Sequence, residues 1–507
     1  MDSATPAEDE WTLSENLGDD LAEVLENHYK TFITEKDFAA IAAAGLNWVR
    51  IPVPYWAIDP RPETEPFLPY VAWKYFIKSM AWARKYGIRI NLDLHTAPGS
   101  QNGWNHSGKL GVINFMMGTM GLANAQRTLS IIRALAEFSS LPGNRDVIPM
   151  FSILNEPFWI EIGDNQMRTF YYNAYKMIRD LTGIGAGKGP QLAIHDGFHG
   201  TNRWYDYLRG ADRLALDSHR YLCFMPPNDE PLIDQALKPC VKWAHEFNKT
   251  VNGFGISLSG EWSIAVNDCG RFLNAVGSGA RFDGTFPNAS SPAYEGVGSC
   301  DGWEDYETWD ADMKEDLHRI ALAHMDTFQN WFYWTWKTGK TITTGRIANP
   351  LWSYQLGLDQ GWMPKDPRSH KGACNSIATA AGTHLRQIKR TASVLPPWQT
   401  GGVGAGRLSR QDVERYQWPP EELVGGLKGK DLPQYTQTGK PLVLVGGPTP
   451  TPTRMVAAQK GAEPPRRTAP SWVPIEGCDE YPEPWSGNGA PLPDRRKCGA
   501  MDNTGRD

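Results

Sequence analysis

The sequence predicts an α/β fold, a (β/α)8 barrel of the TIM type with seven strands legible, and a Pro/Gly-rich C-terminal extension. Three observations predict it. Seven short apolar segments rich in β-formers recur along the chain. Segments of helical period separate almost all of them, the layout of a parallel sheet with crossover helices. Most of the apolar runs finish on a polar, chemically capable residue, and a barrel carries its site at the C-terminal ends of its strands.

The elements follow in order. "EKDFAAIAAAG" (35–45) reads as a helix and leads into the strand "LNWVRIPVP" (46–54). "VAWKYFIKSMAWARKYG" (71–87) is a helix stopped by Gly87, then "IRINLDLH" (88–95) is a strand. "QRTLSIIRALAEFSSL" precedes "PMFSILNE" (149–156), and "FYYNAYKMIRDLTG" precedes "PQLAIHDGF" (190–198). "DRLALDSH" (212–219) comes next, then "LIDQALKPCVKWAHEFN" before "GFGISLSGE" (253–261). "KEDLHRIALAHMDTF" precedes the seventh strand, "WFYWTW" (331–336). The barrel domain is expected to span 1–392. From 393 the runs "LPPWQTGGVGAGRL", "PTPTPT" and "EPPRRTAPSW" change the composition, so 393–507 is expected to be loop-rich, partly disordered or wrapped on the barrel.

A net charge of −6 argues against nucleic-acid binding. The 21 tryptophans suit clefts for sugar rings, whose C–H faces stack on aromatics, though a large core also uses them. No apolar run is long enough to span a membrane. The acidic start, "MDSATPAEDEWTLSENLGDD", is no signal peptide. Sequons at Asn105, Asn248 and Asn288, with seven scattered cysteines, instead favour an oxidising compartment. Cys478 and Cys498 are placed to staple the tail, and an odd count leaves one thiol over.

Two glycine-rich runs are set aside. "GIGAGKG" (183–189) precedes a strand and lacks Ser or Thr after its Lys, and "GGVGAG" (401–406) lies in the tail. No H-E-x-x-H or G-x-S-x-G occurs, so no catalytic metal, no cofactor and no serine nucleophile is expected.

The strand ends carry Arg50, His95, Asn155, Glu156, His219, Tyr221, Glu261 and Trp336. Either glutamate alone reads as a salt-bridged rim residue. Two glutamates on facing strands, among Arg and His, suit glycoside hydrolysis, which needs one protonated and one ionised carboxyl. Arg50 is expected to keep Glu261 ionised, and Tyr221 to donate to it. Glu156 is the expected acid, its pKa raised by burial and by the neighbouring anion. Asn155 suits a sugar 2-hydroxyl, and Trp336 the floor under the reacting sugar. His95 and His219 are expected to bridge rim groups.

The fragments "GLNWVRIPVPYWAI", "DLHTAPGSQNGWNHSG", "LNEP", "GEWSIAVNDC", "WTWKTG" and "WSYQLGLDQGWMP" resemble glycoside hydrolase family 5 of clan A. Within it they are most similar to the fungal exo-β-1,3-glucanases, from about Glu10 to Cys374. The resemblance implies a retaining, metal-free glycosidase that releases glucose from chain ends of β-1,3-glucan, with Glu156 as acid/base and Glu261 as nucleophile. It implies that Arg50, His95, Asn155, His219, Tyr221 and Trp336 line subsite −1, and that Trp104 and Phe224 clamp the next glucose. It further implies a secreted or wall-associated protein, expected as a monomer, with Cys269 and Cys374 at family cysteine positions. The family opens its barrel with a strand that carries a further glutamate. This chain is expected to lack that strand, because it begins just after it. Two alternatives stay open: a β-glucosidase or transglycosylase acting on β-1,6-glucan or small glucosides, and a non-catalytic glucan-binding wall protein.

Overall fold

The computed structural model describes residues 6–286, 295–342, 344–385, 395–436, 442–444, 473–474 and 485. Helices α1 (Glu10–Leu17), α2 (Leu21–Thr31) and α3 (Glu35–Ala43) precede strand β1 (Trp48–Val53). Then come α4 (Val71–Tyr86), β2 (Arg89–Leu94), α5 (Gly121–Ser140), β3 (Met150–Ser152), the short α6 (Trp159–Ile162) and α7 (Asp164–Thr182). Strands β4 (Gln191–His195) and β5 (Leu214–Asp217) lead to α8 (Leu232–Lys238), α9 (Ala244–Gly253), β6 (Ser257–Leu258) and α10 (Ala311–Phe328).

The strands form one parallel sheet in the order β1-β2-β3-β4-β5-β6. The register sets Pro52 beside Asp93 and His195 beside Asp217. The expected seventh strand joins through one parallel bridge, Ser259 to Trp331, and through Phe332 N–H donating to Ser259 and Trp334 N–H to Trp262. The sheet is the curled half of a barrel with helices packed against it. Consecutive strands lie side by side and parallel, joined by crossovers that carry α-helices except between β4 and β5, where the connection holds only a 3-10 turn, Thr201–Trp204. Strand β2 is buried on both faces beyond Arg89, with Ile90, Leu92 and Leu94 on one face and Asn91 and Asp93 on the other. The segment 183–189 is the α7–β4 connection, and Ala186 N–H there donates to Gly401 of the second glycine-rich run.

Among the described residues, β1 pairs only with β2. Between β1 and Trp331–Trp336 lies a cavity of about 960 Å³, lined in part by Trp48, Arg50, His95, Phe332 and Trp334. Side chains span the gap at two levels. The Trp48 and Phe332 rings stand 6.5 Å apart. At the other level Asp37, in the first turn of α3, accepts from Trp336 Nε1 at 3.2 Å and pairs with Lys337 at 2.7 Å.

Part of the described tail lies against α5 and α7. Gln166 Nε2 donates to the Glu422 carbonyl, Asn173 Nδ2 to that of Tyr416 and Arg133 Nη2 to that of Leu442. Tyr416, Leu423, Leu432, Leu442 and Trp485 belong to the main apolar core. Among the described residues two disulfides form, Cys240–Cys374 between two helical segments and Cys269–Cys300 between loop residues, and Cys223 is a buried free thiol. Asn288, Cys478 and Cys498 lie outside the described residues.

One buried ion cluster fixes the loop after β1. Arg127 on α5 reaches Asp59 at 3.0 Å and Glu65 at 2.6 Å, and all three side chains are buried. Removing one member leaves uncompensated charge in the interior. Arg127→Ala is expected to destabilise the protein by about 3–5 kcal/mol, read from denaturant unfolding.

Candidate active site

The site assembles at the C-terminal rim of the sheet. Asn155 N–H donates to the Leu94 carbonyl of β2, and Ile153 N–H to Ala193 of β4. The backbone after β3 therefore stays pinned on both sides up to the residue before Glu156. Glu156 itself adopts φ 43°, the left-handed region that non-glycine residues avoid. Two buried neighbours from the loop after β2 hold that turn. Gln101 Nε2 donates to the carbonyls of His95 and Asn155, and Asn102 Nδ2 donates to the carbonyl of Glu156.

Glu261 follows β6. The glycine before it is required by a close approach: Gly260 N–H donates to Asp217 Oδ1 at 2.5 Å, and a Cβ on Gly260 would stand 2.1 Å from Asp217 Oδ2. The expected partners surround Glu261. Arg50 Nη1 donates to its Oε1 at 2.7 Å, and Tyr221 OH to its Oε2 at 2.8 Å. Arg50 Nη2 also reaches Asn155 Oδ1 at 2.6 Å and Asp93 Oδ2 at 3.0 Å. His95 Nδ1 lies 2.6 Å from the same Asp93 oxygen, and its Nε2 lies 3.3 Å from Asn155 Nδ2.

His219 links the two glutamates. Its Nδ1 lies 2.5 Å from Glu156 Oε1 and 3.7 Å from Glu261 Oε2. Burial works against a charge on His219, yet Glu261, Asp217 and Glu156 outweigh it and raise its pKa well above the usual imidazole range. Burial likewise pushes Glu261 up, but His219 and Arg50 prevail and hold it below the usual carboxylate range. Tyr221 is driven well above the phenol range by burial and then by Glu261, so it remains a donor.

Trp336 is placed elsewhere than the sequence reading expects. Its indole donates to Asp37 and its ring stacks near Tyr354. Trp334 is the tryptophan at the site, parallel to the His95 ring at 5.8 Å and 5.9 Å from the Arg50 guanidinium. Residues 334 and 336 share strand parity, so alternation alone cannot choose between them. Trp104 packs beside His106, Phe158 and Phe198, on the Glu156 side. Phe224 is 46% exposed and lies beside Tyr221, on the Glu261 side.

Sequence reasoning also passed over Asp93, Asp217, His106, Gln101 and Asn102. A signal for the two aspartates was present. "DLH" and "DSH" both place Asp and His two residues apart, on one face of a strand. Glu156, His195 and His219 each offer a ligand atom within 4.8 Å of the others, but His219 Nδ1 is already engaged with Glu156.

A parallel α/β barrel rim that brings two carboxylates to one imidazole has the build of a glycoside hydrolase site. Known proteins carry this further. No protein-family profile matches the sequence. Over 371 residues the chain is 36% identical to the probable glucan 1,3-beta-glucosidase D of Aspergillus fumigatus, covering 70% of this chain and 43% of that protein. It is 36% identical over 390 residues to the probable glucan 1,3-beta-glucosidase D of Aspergillus niger (74% and 45%). Over 370 residues it is 36% identical to glucan 1,3-beta-glucosidase D of Emericella nidulans (70% and 43%). The chain belongs to this glucan 1,3-beta-glucosidase family, a group of glycoside hydrolases, and spans less than half the length of these relatives. The rutinosidase from Aspergillus niger shares its fold, with a TM-score of 0.50 at 19% identity over 70% of this chain and 89% of that one.

The depressed pKa of Glu261 gives a stability test. Such a carboxylate adds stability above its unfolded value, near 4.5, and loses it as pH falls through the folded value. Arg50→Met removes the cation beside it, so Glu261 titrates higher. The acid-unfolding midpoint, followed by circular dichroism, is expected to move to higher pH.

Proposed function

We propose that this chain is the catalytic region of a retaining exo-β-1,3-glucanase that releases glucose from β-1,3-glucan ends. The observation that carries the reading is Glu261 held by Arg50 and Tyr221, with Glu156 facing it across His219. Glu261 has two donors and a depressed pKa, the condition of an ionised nucleophile. In the first step a Glu261 oxygen bonds to the anomeric carbon as the glycosidic bond breaks. Glu156 passes its proton to the leaving oxygen, giving a glycosyl ester on Glu261 and a free hydroxyl on the departing sugar. In the second step water attacks the anomeric carbon and loses its proton to Glu156. The ester bond breaks, and glucose leaves with its configuration retained.

The surrounding groups take supporting roles in this reading. Arg50 is engaged through both terminal nitrogens with Asp93, Asn155 and Glu261, so it orients rather than reacts. Asn155, fixed by Arg50 through its oxygen, keeps its Nδ2 on the side of His95 as the candidate donor for the sugar 2-hydroxyl. Trp334 replaces Trp336 as the proposed apolar floor. Trp104 and Phe224, on opposite sides of the two glutamates, are the proposed aromatic walls for the next sugar. We also infer an extracellular or wall location, which the two disulfides favour.

Laminarin and gentiobiose, with products sized over time, test linkage and mode. Glucose as the first product from laminarin, with slower turnover of gentiobiose, is expected. Early oligosaccharides exclude the exo assignment, and faster gentiobiose cleavage favours the β-1,6 alternative. Glucan retention without turnover of any β-glucoside supports the non-catalytic alternative.

Glutamate variants test the roles. Glu261→Gln is expected to lower turnover by about 10⁴-fold or more on all substrates. Glu156→Gln is expected to lose the most on β-1,3-linked glucose and far less on 2,4-dinitrophenyl β-glucoside, whose leaving group needs no proton. Equal losses on the two substrates would reverse the acid/base assignment.

A further inference from the structure

The two oxygens of Glu156 have different company. Oε1 is bonded to His219, a ring with no exposed surface. Oε2 faces a second imidazole, with His106 Nε2 at 3.4 Å. The His106 side chain is 37% exposed, so it borders the opening where a ligand enters. Because His219 occupies Oε1 on the Glu261 side, Oε2 is the oxygen left to meet a departing group.

The loop that carries His106 is tied to the turn that carries Glu156. Asn102 Nδ2 donates to the Glu156 carbonyl, and Asn102 Oδ1 accepts from Trp104 N–H. The 3-10 turn Asn105–Ser107 is closed by Ser107 N–H donating to the Trp104 carbonyl, and the Ser107 hydroxyl meets that of Ser100 at 2.6 Å. Gly103 N–H also donates to the Ser100 hydroxyl. His106 therefore has a set place over Oε2. The Trp104 ring stands 5.5 Å from its imidazole, so a sugar stacked on Trp104 would present hydroxyls to His106.

We propose that His106 is a positioning and specificity residue on the leaving-group side of Glu156, selecting hydroxylated aglycones such as a second sugar. This rests on the glycosidase reading. Its Nε2 orients the Oε2 carboxyl before reaction and hydrogen-bonds the departing sugar as it forms. The proton moves from Glu156 Oε2 to the glycosidic oxygen while the C1–O bond breaks and the Glu261–C1 bond forms. His106 neither gains nor loses a proton. An aryl leaving group with no hydroxyls and no need of a proton gains nothing from it.

The test compares laminaribiose with 2,4-dinitrophenyl β-glucoside. His106→Ala is expected to lower kcat/KM on laminaribiose by about 10- to 100-fold, as for a lost hydrogen bond to a charged or reacting group. On the aryl glucoside the expected loss is less than about threefold. His106→Gln, which keeps a donor, is expected to recover part of the laminaribiose loss. Equal losses on both substrates, or none on either, overturn the proposal. Imidazole resonances followed by NMR give a reading independent of turnover. Glu156→Gln is expected to move the titration midpoint of His106, because it removes the titrating carboxyl that faces the ring. An unmoved midpoint overturns the contact. Failure of the wild type on every β-glucoside overturns the glycosidase reading instead, and is told apart by this spectrum.

Discussion

The site depends on one buried guanidinium. Arg50 rises from β1 and bonds Asp93 on β2, Asn155 after β3 and Glu261 after β6. Its side chain is almost wholly buried, so its charge must be met by protein groups rather than water. Asp93 and Glu261 meet it, and with Asp217 they outweigh the burial that disfavours it. A buried ion pair of this kind adds little net stability. What it adds is geometry, since β1, β2 and the segment after β6 cannot shift apart without stranding a charge, and Asn155 ties in the segment after β3. Arg50 also sits on the strand that borders the cavity, so the unpaired edge of the sheet and the charge network share one element.

The second constraint is conformational. Glu156 stands at positive φ, where a side chain costs about 1–3 kcal/mol of strain. Buried amides from residues 101 and 102 hold the carbonyls on either side of its peptide. The same amide of Asn102 sets the loop of Trp104 and His106. One side chain thus couples the acid/base candidate to the surface an aglycone would meet. On the other side, Gly260 lets Asp217 come against the backbone just before Glu261, and Asp217 in turn backs His219. The two glutamates therefore have different local supports, which meet at His219 and, through Asn155, at Arg50.

Much of the architecture was legible in the chain. Strand-like runs between helical patterns gave the parallel order, because strands joined by long crossovers must run in one direction. Polar residues at the run ends marked Arg50, His95, Asn155, Glu156, His219, Tyr221 and Glu261, all of which the fold gathers in one network. The reading named Trp336 where the fold sets Trp334 beside His95 and Arg50, because two tryptophans of equal parity differ only in where the chain turns after the last strand. It missed His106 because a histidine in an irregular loop carries no periodic signal. It missed Gln101 and Asn102 because their work is done on backbone carbonyls that sequence does not display.

The sequence by itself determined which residues could do chemistry and which end of the sheet would carry them, since strand period and apolar runs are local properties. Tertiary structure decided the rest. Only folding brings His219 within reach of two carboxylates separated by more than a hundred residues, and gives Glu156 one oxygen facing His219 and the other facing His106. Only folding chooses Trp334 over Trp336, because Asp37, from a helix before β1, captures the latter. Those outcomes depend on distances between segments, and no local pattern encodes a distance.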